Sequence, residues 1–117
     1  MLGDLKESII DSFSNSGVGF EVDDVTPEEV MDEAIFNDAF KSLSENPNLL
    51  NKFSHWVKVA YGDVYAFVGE RHDDDYLKVL VVIDEDCPVD NIKEMIEEGI
   101  SDYSFDIGVG ITEISWR

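Results

Sequence analysis

Residues 76–84, YLKVLVVID, decide the fold. The segment is apolar almost without interruption, and an apolar run of this length is typical of a β-strand covered on both faces. Such a strand lies inside a sheet rather than at its edge. We therefore expect residues 76–84 to form the centre of a sheet, with neighbours supplied by the segments on either side.

Two further strands precede this central segment. Residues 56–61 and 64–68 have the composition of strands, and Gly62-Asp63 between them is typical of a tight turn. Residues 69–75 are polar and predict a second turn. The chain should therefore pass back and forth twice before it reaches residue 76.

A helix and a last strand follow the central segment. The helix opens at residues 86–88, Asp-Cys-Pro, and Gly99 is expected to loosen its end. Its apolar stripe consists of Val89, Ile92, Ile96 and Ile100. The strand alternates from Phe105 through Ile107 and Val109 to Ile111, with a register change near Thr112-Glu113 that brings Ile114 and Trp116 into use. This strand, helix, strand order predicts a right-handed crossover between parallel strands.

Two helices are expected before the strands. The first has an apolar stripe and ends near Ser14, and the second starts at Thr26-Pro27-Glu28-Glu29, where Thr26 is a typical N-cap. The second helix is expected to run to Asn46-Pro47, with a short extra turn after it. Its predicted buried face consists of Val30, Ala34, Ile35, Ala39, Phe40 and Leu43. Residues 17–25 fit either an edge strand or an extended connection.

The fold predicted for residues 1–117 is a single acidic α+β domain of order α-α-β-β-β-α-β. We expect a mixed four-stranded sheet with helices packed mainly on one face. Cys87 is the only cysteine, so no disulfide can form within the chain. Without a recognisable signal peptide or an apolar run long enough to span a bilayer, the sequence predicts a cytoplasmic protein.

Charge is the strongest functional signal. The sequence contains 27 Asp and Glu but 8 Lys and Arg, which gives a formal net charge of −19 over 117 residues. Such a chain repels nucleic acid, anionic membranes and anionic substrates, and its field attracts basic partners. We therefore expect no direct binding to nucleic acid or membrane.

Candidate catalytic chemistry is weak. Residues 71–75, Arg-His-Asp-Asp-Asp, combine an imidazole with three acids, but consecutive acids in a turn point in different directions, so a solvated loop is expected and not a metal site. Cys87 lacks a base in its neighbourhood and is flanked by acids. The sequence therefore predicts neither an enzyme nor a bound cofactor.

The predicted function is a non-catalytic binding or inhibitor protein that occupies the basic, nucleic-acid-binding surface of another protein. In size and charge the chain resembles DNA-mimic inhibitors and immunity proteins against nuclease toxins. The candidate contacts are acidic residues on the two predicted helices and in the 71–75 turn, and they are expected to gather on one face. They are Glu28, Glu29, Asp32, Glu33, Asp73, Asp74, Asp75, Glu94, Glu97 and Glu98.

Two alternatives remain open. The first is an assembly subunit or an acidic chaperone-like homodimer, built through an exposed edge strand or the Trp116 end of the chain. The second is a small enzyme or ligand-binding domain. A single continuous acidic face would favour the inhibitor, whereas dispersed acid with an exposed apolar patch would favour assembly.

Overall fold

A computed structural model describes residues 4–14, 17, 19–62, 64–73, 76–84 and 91–117. Its centre is a mixed sheet of five strands in the order β1-β2-β3-β4-β5. The strands are β1 (Glu21–Val25), β2 (His55–Tyr61), β3 (Val64–Asp73), β4 (Tyr76–Ile83) and β5 (Gly110–Trp116). Neighbours from β1 to β4 pair antiparallel, and β4 pairs parallel with β5. The α+β class and the parallel pairing of the last two strands are therefore confirmed.

The predicted number of strands is wrong by one. Residues 21–25 pair along their whole length with β2 and form an edge strand, which settles the choice that the sequence left open. Thr112 is skipped in the pairing of β4 with β5, because Leu77 lies opposite Ile111 and Lys78 lies opposite Glu113. This confirms the predicted register change.

Five α-helices accompany the sheet in the described part of the chain. They are α1 (Leu5–Ser14), α2 (Pro27–Phe36), α3 (Lys41–Glu45), α4 (Pro47–Lys52) and α5 (Ile92–Ile107), with a 3-10 turn at Asp38–Phe40. None of these helices combines the length and the apolar composition that crossing a bilayer requires. The predicted opening of the last helix at residues 86–88 lies outside the described residues.

The core has two halves, because successive strand residues point to opposite faces of the sheet. On one face, Val57, Val68 and Val79 pack against α1 and α5, and we call this the α5 face. On the other face, Trp56 and Phe67 pack against α2, α3 and α4, and we call this the α2 face. The expectation that helices cover mainly one face is wrong, since β2, β3 and β4 carry apolar residues on both faces.

Three predicted segments end at different residues. The second helix breaks at Asn37, whose side chain accepts a hydrogen bond from the backbone N–H of Ala39 and so starts the 3-10 turn. The polar turn predicted at residues 69–75 is mostly strand, because β3 continues to Asp73. The predicted strand from Phe105 is helix as far as Ile107, and Gly108, with a φ of 76°, ends α5 instead.

Gly99 has a different role from the one predicted. A Cβ atom at this position would lie 3.0 Å from the Cα atom of Ile9, so glycine permits the close approach of α5 to α1. The helix continues for two further turns beyond Gly99. This close packing fixes the position of α5 relative to α1.

Candidate functional site

The outer side of α2 is the best-formed candidate for a binding surface. The hydroxyl oxygen of Thr26 accepts a hydrogen bond from the backbone N–H of Glu29 at 3.1 Å, which confirms the predicted N-cap. Because Val30 and Ala34 are buried against the sheet, Glu28, Glu29 and Asp32 point outward and are exposed. Within the described part of the chain, none of these three carboxylates has a cation within ion-pair distance.

Glu33 differs from its neighbours on α2, although the sequence groups it with them. Its Oε1 accepts a hydrogen bond from Lys58 Nζ at 2.8 Å, and its Oε2 accepts one from the Tyr65 hydroxyl at 2.9 Å. The hydrogen bonds from Lys58 and Tyr65 hold the pKa of Glu33 below its ordinary value. Glu33 therefore fastens α2 to the sheet and is not a free contact for a partner.

The last two residues of α2 have large apolar side chains that are exposed to solvent. Ile35 is 60 % exposed and Phe36 is 90 % exposed. The prediction that Ile35 is buried is wrong, because the helix ends at Phe36 and the chain turns inward only at Phe40. Phe36 shares one shallow surface depression with Glu29, Asp32 and Glu33. The aromatic ring and the carboxylates thus lie side by side.

A second depression lies between α2 and α4. Pro27, Met31, Glu28 and Asp32 line it on the α2 side, and Leu50 lines it on the α4 side. An open groove lined by both apolar and acidic residues suits a protein segment that combines apolar and basic side chains. The outer side of α2 therefore offers both charge and apolar contact.

The remaining predicted contacts lie elsewhere. Glu94, Glu97 and Glu98 are exposed on α5, which packs on the opposite face of the sheet from α2. Asp73 ends β3 and pairs with Tyr76, whereas its side chain and the whole of Asp74 and Asp75 fall outside what the structure describes. The described helical acids of the predicted set are therefore divided between two helices on opposite faces of the sheet.

A polar network that the sequence did not predict lies on the α5 face. His55 Nε2 is 2.8 Å from Asp24 Oδ1, and His55 Nδ1 is 3.3 Å from Glu70 Oε1. The Tyr103 hydroxyl donates a hydrogen bond to the same Glu70 oxygen at 3.1 Å. Glu70 is buried, and its Oε2 has no hydrogen-bond partner among the described residues. The network joins three strands to α5.

The charge state of His55 excludes one catalytic role. Hydrogen bonding to Glu70, with a further contribution from Asp24, raises the pKa of His55 to about 9 against the opposing effect of burial. Burial, together with the charge of Glu70, also raises the pKa of the Tyr103 hydroxyl. At neutral pH the imidazole is protonated and donates from both nitrogens, so it does not serve as a general base. The arrangement is that of a structural tie.

Correct strand register would have revealed this network. His55 and Glu70 are directly opposite each other in the pairing of β2 with β3, and Asp24 pairs with Val57, two residues after His55 on the same face of the sheet. The sequence predicts a turn at residues 69–75, which excludes Glu70 from the sheet and so gives no indication that it pairs with His55. A lone acid inside an otherwise apolar strand pattern was the available signal, because a buried carboxylate requires a partner.

Comparison with protein-family models, with curated proteins and with solved structures finds no match. The function is therefore inferred from the surface itself.

Proposed function

We propose that this chain is a non-catalytic binding protein that occupies a basic surface of another protein through the outer side of α2. One observation carries the proposal. Glu29 and Asp32 share one surface depression with the ring of Phe36, which is 90 % exposed, and the exposed Glu28 lines the groove between α2 and α4 together with Asp32. None of these three carboxylates has an ion-pair partner among the described residues. We call these four residues the α2 surface.

Charge and aromatic contact have separate roles in this proposal. The carboxylates attract lysine and arginine side chains and speed the encounter, an effect that weakens as salt screens the charges. Phe36 supplies apolar contact area, and buried aromatic anchors carry much of the affinity in protein interfaces. An acidic residue set alone would bind any basic molecule, whereas the ring adds a requirement for an apolar recess on the partner.

The partner we propose is a protein whose basic surface binds nucleic acid. Such surfaces concentrate lysine and arginine because they neutralise phosphates, and a chain with a net charge of −19 competes for them. Covering the surface would inhibit the partner, as expected for an inhibitor or immunity protein. We place this encounter in the cytoplasm as part of the proposal. The α2 surface makes the contact on which this proposal rests.

The test compares two variants with the same change in charge. Glu28→Gln/Glu29→Gln/Asp32→Asn removes three carboxylates from the α2 surface. Glu7→Gln/Asp11→Asn/Glu21→Gln removes three exposed carboxylates from α1 and β1. Each protein is immobilised, loaded with cell extract at low salt and eluted with a salt gradient. We expect basic proteins to elute from the α2 variant at lower salt than from the control.

Equal elution from the two variants would contradict the proposal, because it would show that only total charge matters. A Phe36→Ser variant separates the two contributions further, since it leaves the charge unchanged. Circular dichroism before loading confirms that each variant is folded. Captured proteins that ignore salt would also contradict the role assigned to the carboxylates.

A second candidate function is a homodimer formed through β5. Both β1 and β5 are edge strands, but their charges differ. On β1, the exposed residues Glu21, Asp23 and Asp24 discourage pairing with another strand, whereas Glu113 is the only acid on β5. Light scattering after size-exclusion chromatography decides between the two functions. A monomer at high salt, where repulsion is screened, would exclude the dimer.

A further inference from the structure

Two helices on opposite faces of the sheet share one unusual feature. In the described residues, the two most exposed large apolar side chains are Phe36 at 90 % and Phe105 at 86 %. Phe36 ends α2, and Phe105 lies in the last turn of α5. A partner that buries such a ring gains about 1.5–3 kcal/mol from the apolar contact. Each face therefore has an aromatic ring available for contact.

The acids beside each ring have similar but not identical spacing. On α2, Glu29 and Asp32 precede Phe36 by seven and four residues. On α5, Glu98 and Asp102 precede Phe105 by seven and three residues. Helix residues three, four and seven apart lie on one side, with neighbours about 5–6 Å apart. Both helices thus carry two carboxylates in line with an exposed phenyl ring.

No contact among the described residues shows that the acids of α5 stabilise the fold. Asp102 and Asp106 are exposed near the carboxyl end of the helix, where the helix dipole disfavours negative charge, and the last turn contains no basic residue. Glu94, Glu98 and Asp102 are four residues apart and repel one another. None of these acids has an ion-pair partner in the part of the chain that the structure describes. An arrangement that weakens the helix is consistent with a role in binding.

Charge complementarity indicates the occupant. A second copy of this chain would bring another net charge of −19 toward the same acids, which disfavours self-association at this helix. A segment with lysine or arginine beside a large apolar residue fits both the carboxylates and the ring. The occupant is thus a basic, amphipathic protein segment, of the same class as the partner proposed for α2.

We propose that Glu98, Asp102 and Phe105 form a second docking surface, so that one chain binds two basic protein segments at the same time. This inference rests on the proposed function, since it assigns to α5 the partner chemistry inferred for α2. The two surfaces share no residue, and the sheet separates the helices that carry them. The chain would therefore bridge two segments, either in one partner or in two copies of it.

The test measures stoichiometry with a defined probe. The probe is a synthetic amphipathic helical peptide with lysine and arginine on one side and leucine on the other. Calorimetry and native mass spectrometry count the peptides bound per chain for the parent protein, Phe36→Ser, Phe105→Ser and the double variant. Because both rings are exposed, these substitutions should leave the fold intact. Glu21→Gln serves as a control for charge, and a peptide with serine in place of leucine as a control for apolar contact.

We expect two peptides per chain, one per chain for each single variant, and none for the double variant. At each site that loses its aromatic ring, the dissociation constant of the peptide should increase about tenfold or more, as expected when an aromatic anchor is removed. One peptide on the parent chain, lost with Phe36→Ser alone, would overturn the second surface and leave the proposed function standing. If neither Phe variant changes the count, or the serine peptide binds equally well, undirected charge attraction explains the binding and both proposals fail.

Discussion

The two faces of the sheet fasten their helices with the same chemical groups in different arrangements. On the α2 face, the carboxylate of Glu33 belongs to the helix and meets Lys58 and Tyr65 on the strands. On the α5 face, the carboxylate of Glu70 belongs to the sheet and meets His55 on β2 and Tyr103 on the helix. Each tie consists of a carboxylate, a cation and a phenol hydroxyl.

The two carboxylates differ in their exposure to water. The Glu33 side chain is 43 % exposed and both of its oxygens are hydrogen-bonded, whereas the Glu70 side chain is 9 % exposed and one oxygen lacks a partner. A bond lost at Glu33 is replaced by water, but a bond lost at Glu70 leaves a buried charge less well compensated. Loss of a hydrogen bond at Glu70 should therefore destabilise the fold more than loss of the corresponding bond at Glu33.

The largest expected effect comes from removing the two phenol hydroxyls. Tyr103→Phe deprives the buried Glu70 of a donor and should lower the free energy of unfolding by about 1.5–3 kcal/mol, as for hydrogen bonds to charged groups. Tyr65→Phe deprives the half-exposed Glu33 of a donor and should cost about 0.5–1 kcal/mol. Urea denaturation of both variants measures the difference. Equal losses would show that burial of Glu70 does not set the strength of its tie.

The α5 tie should also respond to alkaline pH. The pKa of His55 rises from 6.5 to about 9 on folding, so its contribution is complete below about pH 6.5 and is lost as pH increases through about 9. A third of the ring is exposed, so we expect a loss of about 1–2 kcal/mol. In the α2 tie the cation is Lys58 and not an imidazole.

His55→Gln isolates this effect from other groups that titrate between pH 6 and 10. The difference in unfolding free energy between the parent protein and this variant should shrink as pH increases. Lys58→Gln provides the matched control on the α2 face, because it removes the cation of the α2 tie and leaves His55 in place. A constant difference for His55→Gln would mean that the imidazole is not held as a cation by Asp24 and Glu70.

Local signals in the sequence were sufficient for much of the fold. The Thr26 cap, the hairpin turn after Tyr61 and the bulge at Thr112 each depend on residues close together in the chain, and all three predictions are confirmed. The continuous apolar run at residues 76–84 placed β4 correctly inside the sheet. It also implied two covered faces, which the expectation of helices on one face overlooked.

The predicted ends of helices and strands were wrong where contacts between distant residues, rather than the local sequence pattern, determine the structure. Phe105 and Ile107 alternate as a strand would, but α5 continues through them, and Tyr103 of the same helix packs in the core on the α5 face. Asn37 lies within the long second helix that the sequence predicts, yet its side chain caps a new turn and also donates a hydrogen bond to the Tyr65 hydroxyl on β3. Most of the acids were placed on helices as expected. Which face each helix covers depends on tertiary packing, which the linear pattern does not contain.

The smallest expected effects test the acids on the outer sides of the two helices. Glu28 lies in the first turn of α2, where the helix dipole favours negative charge, and Asp106 lies in the last turn of α5, where the dipole opposes it. We expect Glu28→Gln to lower the free energy of unfolding by about 0.3–0.5 kcal/mol and Asp106→Asn to increase it by a similar amount. Thermal unfolding at low ionic strength measures both changes.

Salt provides the control for this last pair, because screening should reduce both changes toward zero. If Asp106→Asn instead destabilises the protein, its carboxylate has a structural role and the acids of α5 need no explanation from binding. The expected stabilisation would mean that α5 retains a charge against its own dipole, whereas α2 places its charge where the dipole favours it. The acidity of α5 would then be the stronger indication of a partner, although α2 has the better-formed groove.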